Sequence, residues 1–177
     1  GSTPPSGDRL FGDRMGRGDL VKLLRSRNLL PAIFFIFSRV GCDAAVEQVA
    51  RSDVRLTEAW ERDEIRAIVE ERCRQIPDAD LAVLGYWGWL DGLERGLAAH
   101  HAGMLPIFKE IVEELFQRKL LKVVFATETL ALGVNMPART VVIEKLEKFN
   151  GESRVQLTPG EYTQLTGRAG RRGIDVE

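Results

Sequence analysis

The sequence predicts an α/β fold built on a mainly parallel sheet, with helices on both faces. Ala32–Phe37 is a nearly continuous apolar run of strand length, as expected for a strand that is covered on both faces. Lys122–Ala126 and Arg139–Ile143 have the same character, and helical patterns separate the runs. Strands that alternate with helices indicate crossover connections between parallel strands.

Composition limits the function classes. The chain has 177 residues, enough for one domain with a core, and its net charge of -1 means that any nucleic-acid contact must be local. Cys42 and Cys73 lie far apart in sequence, with no CxxC motif and no clustered histidine, so neither a disulfide framework nor a zinc site is expected and a reducing cytoplasm is the default. No apolar run is long enough to span a bilayer. We therefore expect a cytoplasmic protein without a membrane segment. A monomer is a separate expectation.

Residues 1–18 read as a tag remnant and flexible leader because they are rich in Gly, Pro, Ser, Asp and Arg. Residues 19–177 are expected to form the domain, with Asp19 capping its first helix. A more charged stretch at about 52–97 reads as a small helical insert. Its tryptophans are expected to pack against the sheet domain, with base stacking as the alternative. The other predicted elements are helices at Cys42–Ala50, Thr57–Gln75, Tyr86–Leu97 and Leu105–Lys119, a strand at Leu97–Ala102, and a short helix at Thr127–Leu132.

A last helix is predicted to begin at Thr158–Glu161, which resembles a capping box with proline at the first helical position. Positions 164, 167, 168 and 171 would then share one face. Gln164, Arg168 and Arg171 beside small Gly167 suit a phosphate, because arginine carries a permanent charge and a planar fork of donors.

Four polar segments are expected at the carboxyl edge of the sheet, where open parallel sheets bind ligands. They are Ser38–Arg39, His100–Gly103, Thr127–Thr129 and the loop before the last helix. Each also has a purely structural interpretation: Ser38 and Arg39 could start a loop, the histidines could be a satisfied strand-end pair, and Thr127 could cap a helix.

The sequence contains no GxxxxGK[ST] motif and no GxGxxG after a strand. A phosphate-facing arginine helix without a P-loop implies that the triphosphate is held elsewhere. The simplest arrangement is a neighbouring domain that presents ATP across a cleft.

Four segments in order resemble motifs of one family. Phe34–Arg39 resembles helicase motif IV, His100–Pro106 the HHAG-type motif, Phe125–Arg139 motif V and Gln164–Arg171 motif VI. The chain is therefore similar to the second RecA-like domain of superkiller- and exosome-type DExH-box superfamily-two RNA helicases, including bacterial HelY-type members. The resemblance covers essentially the whole chain after residue 18 and implies a RecA-like fold.

The resemblance implies roles for individual residues. Arg171 would be the arginine finger that reaches the γ-phosphate of ATP, with Arg168 and Gln164 beside it. Asn135 would contact the ribose, while Glu128 and Gly133 would shape the motif V loop. The implied nucleotide-binding positions are Asn135, Gly133 and Gly167, and the implied nucleic-acid-backbone positions are Ser38, Arg39, Gly103, Thr127 and Glu128.

The first RecA-like domain, which would hold Mg²⁺ and most phosphates, has no counterpart in the sequence. The expected partners are that domain and single-stranded RNA or DNA. The alternative hypothesis is a noncatalytic nucleic-acid- or protein-binding module of the same fold, favoured by the near-neutral charge and the missing P-loop. A Rossmann-type enzyme is disfavoured because Ser38–Asp43 lacks the glycine fingerprint.

Overall fold

The computed structural model describes residues 16–127, 137–146 and 153–162, with the backbone alone for residues 145–146 and 153–162. One five-stranded sheet has the strand order β2, β3, β1, β4, β5. The first four strands are parallel, and β5 runs antiparallel to β4. The predicted parallel sheet is therefore confirmed. The strands are β1 (Ala32–Ile36), β2 (Leu97–His100), β3 (Val123–Ala126), β4 (Ala138–Leu146) and β5 (Ser153–Tyr162).

Helices cover both faces of the sheet because successive strand residues point to opposite sides. Phe34 packs with Phe125 in one buried cluster, while neighbouring Ile33 belongs to the cluster on the opposite face. Buried residues of α1 and α2 join the Phe34 cluster, and those of α3 to α6 join the Ile33 cluster. The helices are α1 (Arg17–Ser26), α2 (Arg39–Arg51), α3 (Ala59–Arg72), α4 (Asp78–Val83), α5 (Tyr86–Glu94) and α6 (Pro106–Gln117).

The start of the first helix differs from the prediction. The helix begins at Arg17 with Gly16 as its N-cap, so Asp19 lies in the first turn and does not cap it. Gly18 is packed directly against the Ser52 side chain, which leaves no room for a β-carbon. The helix thus begins two residues before the predicted capping residue, where its first turn packs against the end of α2. The rest of the predicted leader, up to residue 15, lies outside the described residues.

The capping-box prediction at Thr158–Glu161 is wrong. These residues lie in β5, where Thr158 pairs with Val141 and Pro159 with Thr140. The register shifts between Ala138 and Thr140, and proline is tolerated at such irregularities and on edge strands. Pairing with the outer edge of β4 therefore overrides the local helix signal. The predicted helix after Thr127 and the helical face of Gln164 to Arg171 lie outside the described residues.

The tryptophan prediction holds for one residue of three. Trp89 stacks on Phe108, with ring centroids 4.0 Å apart and an interplanar angle of 12°. Trp60 and Trp87, by contrast, are 59% and 61% exposed. Their positions on the outer sides of α3 and α5 explain this, because Ile65, Val69, Leu90 and Leu93 supply the buried sides of those helices.

A partly buried ion pair fastens α1 to the sheet. The Arg17 guanidinium donates to both carboxylate oxygens of Glu144, Nε at 2.9 Å and Nη2 at 2.8 Å, and a third bond reaches Gln48. The hydrogen bond to Glu144 raises the pKa of Arg17, against the opposing effect of burial. The Glu144 side chain is only 6% exposed, so Arg17 is the charge that compensates a nearly dehydrated carboxylate.

We expect Arg17→Ala to lower the free energy of unfolding by about 2 kcal/mol, because it leaves the Glu144 carboxylate buried without its partner. Chemical denaturation of the purified chain measures this. Arg74→Ala is the matched control, since Arg74 pairs with Glu71 on an exposed surface, and its effect should stay within about 0.5 kcal/mol. Equal effects of the two substitutions would contradict the role of the pair.

Candidate nucleic-acid interface

The carboxyl ends of three adjacent strands bring together three of the four predicted polar segments. β3 lies between β2 and β1, with Ala126 opposite both His100 and Phe35. The N–H of Thr127 donates to the His100 carbonyl at 3.3 Å, which joins the ends of β2 and β3. Ser38, His101 and Thr127 therefore lie along one edge of the sheet, hereafter the rim, as predicted.

Ser38 caps α2. Its hydroxyl accepts the N–H of Gly41 at 2.9 Å, and its backbone is extended, as an N-cap requires. A β-carbon on Gly41 would approach the Ile36 side chain to 2.9 Å, so the tight entry from β1 into the helix needs glycine. The cap uses one of the first-turn N–H groups and leaves the helix N-terminus, with its partial positive charge, at the rim.

Arg39 is the cation of the rim. Its side chain is exposed, and no carboxylate among the described side chains pairs with it. The backbone of Gly103 lies close by: a β-carbon there would be 3.5 Å from Cδ of Arg39 and 3.2 Å from the His101 ring. Exposed Gly103 thus lets the loop after β2 approach the arginine closely.

His101 holds this loop in place. Its Nε2 lies 3.0 Å from Oδ1 of Asp43 on α2, and its Nδ1 accepts the N–H of Gly103 at 3.1 Å. The ring itself is buried. His101 therefore links the loop that contains Gly103 to the helix that contains Arg39.

His100 has a different partner on the opposite face. Its Nε2 lies 2.7 Å from Oε2 of Glu113, and burial lowers the pKa of His100 although Glu113 opposes that shift. The interpretation of the two histidines as a satisfied strand-end pair is confirmed for His101, whereas Nδ1 of His100 is buried without a hydrogen-bond partner among the described residues. The described side chains include no group of three or more His, Cys, Asp or Glu suited to a metal ion.

Thr127 occupies the centre of the rim, but its exposed fraction is only 8% and it already has an interaction partner. The open surface at this edge comes instead from Arg39, Gly103 and the start of α2. The remaining candidates lie outside the described residues: Glu128, Gly133, Asn135, Gln164, Gly167, Arg168 and Arg171.

The sequence analysis did not identify two residues at the rim. Phe37, directly before Ser38, is 61% exposed, and Asp43 makes the contact to His101. The position of Phe37 just beyond the β1 strand could have indicated its exposure. No local signal could have identified Asp43, because its partner is 58 residues away.

A groove of about 640 Å³ lies beside the rim, between α2, α5 and the loop after β2. Trp89 and Phe108 form part of its apolar wall. Asp43 and Glu47 line its α2 side, and His101 and Gly103 line the end next to the rim.

Comparison with known proteins agrees with this geometry. Residues 71–173 match the helicase conserved C-terminal domain. The chain belongs to this helicase family. Its five-stranded sheet, in which four strands are parallel, has helices on both faces and is the RecA-like α/β fold of that domain, so the fold inferred from the resemblance is confirmed.

Individual relatives carry helicase names. The chain is 65% identical over 163 residues to the probable helicase HelY of Mycobacterium leprae, covering 92% of this chain and 18% of that protein. It is 52% identical to the chloroplastic DExH-box ATP-dependent RNA helicase DExH15 of Arabidopsis thaliana, covering 89% and 13%. For the human superkiller complex protein 2 the identity is 46%, covering 88% and 12%. The chain thus spans less than a fifth of the length of these relatives. None of its helices, over the described ranges, is long and apolar enough to cross a membrane.

Proposed function

We propose that the chain is the second RecA-like half of an ATP-dependent helicase that acts on RNA. It supplies the arginine finger and part of the track that grips the nucleic-acid backbone. The observation that carries this proposal is the geometry of the rim. Three features meet there: the exposed Arg39 side chain, which has no ion pair among the described residues, the open backbone of Gly103 and the N-terminus of α2. Cationic side chains and N–H donors that contact phosphates, and not base edges, suit a nucleic-acid backbone of any base sequence.

The nucleotide site is divided between two domains in this proposal. ATP with Mg²⁺, when bound, supplies the phosphoryl group, and the absent first RecA-like domain provides the P-loop and the metal ligands. Arg171 stabilises charge that develops on the transferred group, Arg168 and Gln164 lie beside it, and Asn135 contacts the ribose. Gly133 and Gly167 allow close approach, and Glu128 shapes the loop between nucleotide and strand.

Closure of the two domains would couple these sites. Arg171 engages only when the domains approach, and the same movement displaces the rim relative to the partner domain. Repeated binding, hydrolysis and release of ATP would then draw a single strand through the cleft. The protein needs no membrane for this, and we propose that it acts as a monomer.

The substitution Arg39→Ala tests whether the rim binds the nucleic-acid backbone. We expect the affinity of the chain for single-stranded RNA or DNA to fall about three- to tenfold, because one phosphate contact is lost. The slope of log K against log salt should decrease in magnitude by about 0.7. Fluorescence anisotropy with labelled oligo(U) and oligo(dT), at several salt concentrations, measures both quantities.

The matched control is Arg51→Ala, which removes the same charge from the opposite end of the same helix. Arg51 is exposed and has only a long ion pair to Glu47, at 3.8 Å. If the rim binds the strand, Arg51→Ala leaves both affinity and salt slope almost unchanged. Equal losses in the two variants would mean that the strand does not bind at the rim.

A further inference from the structure

A continuous line of contacts runs from α2 to the loop after β2. Oδ1 of Asp43 lies 3.0 Å from Nε2 of His101, and the N–H of Gly103 donates to Nδ1 of the same ring at 3.1 Å. The ring is buried, with a relative exposure of 5%. Asp43 itself is well exposed, so it is the outer end of the line.

The two contacts select one form of the imidazole. A backbone N–H can only donate, so Nδ1 must present its lone pair to Gly103 and carries no proton. The proton of the neutral ring then sits on Nε2 and is donated to the Asp43 carboxylate. Asp43 thus favours the tautomer whose other nitrogen accepts the loop backbone.

The position of Asp43 connects this line to the rim. Arg39 and Asp43 are one helical turn apart on α2, so the turn that presents the guanidinium also holds the histidine. At its other end the line fixes Gly103, whose backbone approaches Arg39. The distance between Arg39 and the Gly103 backbone therefore depends on the bond between Asp43 and His101.

We propose that Asp43 is a positioning residue of the nucleic-acid track: through His101 it holds the Gly103 turn against Arg39, so that both face the same stretch of backbone. The inference rests on the proposed function of the rim. Asp43 does not touch the strand, and its effect passes through the imidazole.

Electrostatics alone predicts the opposite effect for this residue. A carboxylate one turn from Arg39 repels a phosphate, so its removal should strengthen strand binding if charge is all that matters. If Asp43 positions the loop, Asp43→Ala instead weakens binding about three- to tenfold, as expected for the loss of one orienting hydrogen bond. The direction of the change separates the two accounts.

Three further variants complete the test in the same anisotropy assay. Asp43→Asn removes the charge but keeps an oxygen that accepts from Nε2, so it should bind within about twofold of the unmodified chain. Glu47→Ala removes the same charge one turn further along α2, from a side chain that is 73% exposed, and should not weaken binding. Arg39→Ala reports on the rim itself.

The outcomes are distinguishable. The proposal is supported if Asp43→Ala binds the strand more weakly while Asp43→Asn and Glu47→Ala do not. Unchanged or tighter binding by Asp43→Ala overturns it, and so does an equal loss with Asp43→Asn. If Arg39→Ala also binds normally, the proposed function of the rim fails as well, whereas a loss confined to Arg39→Ala rejects only the positioning role.

A spectroscopic measurement examines the imidazole directly. Nitrogen-15 spectra of the histidine side chains above neutral pH should show His101 with an unprotonated Nδ1 and a protonated Nε2. In Asp43→Ala the two tautomers should mix, and in Asp43→Asn the single form should return. A single Nδ1-protonated form in the unmodified chain would overturn the assignment, even if all the variants fold normally.

Discussion

Replacing Arg171 by alanine is expected to lower kcat for ATP hydrolysis by about 10³-fold or more, as with arginine fingers of GTPases. The measurement uses a polypeptide in which a first RecA-like domain with a P-loop precedes this chain, hereafter the joined polypeptide. In its proposed role the guanidinium would act mainly on charge that develops in the transition state, so kcat should fall far more than KM for ATP changes. Steady-state hydrolysis with saturating single strand measures this effect.

Arg171→Lys and Arg172→Ala are the matched controls. Lysine keeps the charge but lacks the planar fork, so Arg171→Lys should remain severely impaired. Arg172 carries the same charge one residue further along, and its removal should have a much smaller effect. Hydrolysis by Arg171→Ala at the unmodified rate would reject the arginine-finger assignment, and a larger loss in Arg172→Ala would move it to the neighbouring residue.

The second large effect is the difference between the chain alone and the joined polypeptide. The chain alone should hydrolyse no measurable ATP, because its sequence has no P-loop lysine and no DExH carboxylates. It should still bind single strands weakly and lose them as salt rises. Joining the upstream domain should produce ATP turnover that single-stranded nucleic acid stimulates.

The same comparison distinguishes the helicase hypothesis from the alternative, a noncatalytic module of the same fold. Such a module predicts that the joined polypeptide shows no strand-stimulated hydrolysis, even when the upstream P-loop is intact. A variant of the joined polypeptide without the P-loop lysine controls for contaminating ATPases. Robust turnover by the chain alone would contradict the division of the site between two domains.

The parallel sheet was predictable because its strands are covered on both faces. Burial on both sides demands an unbroken apolar run, which Ala32–Ile36 and Val123–Ala126 display in the sequence. The rim followed from topology, since parallel strands end at one edge. Ser38, His101 and Thr127 could therefore be placed together before any contact was known.

Other features depended on contacts that local sequence does not encode. Thr158–Glu161 has the composition of a helix start, but pairing with β4 makes these residues a strand. Trp60 and Trp87 are large apolar residues whose helices bury other sides. Asp43 contacts His101 only because the fold brings together two residues that are 58 positions apart in sequence.

The claim of a divided ATPase site is tested most directly by one comparison, made with saturating single-stranded RNA. The rates of ATP hydrolysis are measured for the joined polypeptide, its Arg171→Ala variant and the upstream domain alone. Our account predicts turnover by the unmodified joined polypeptide and a fall to the level of the upstream domain in the variant. Equal rates for the joined polypeptide and its variant would contradict the account.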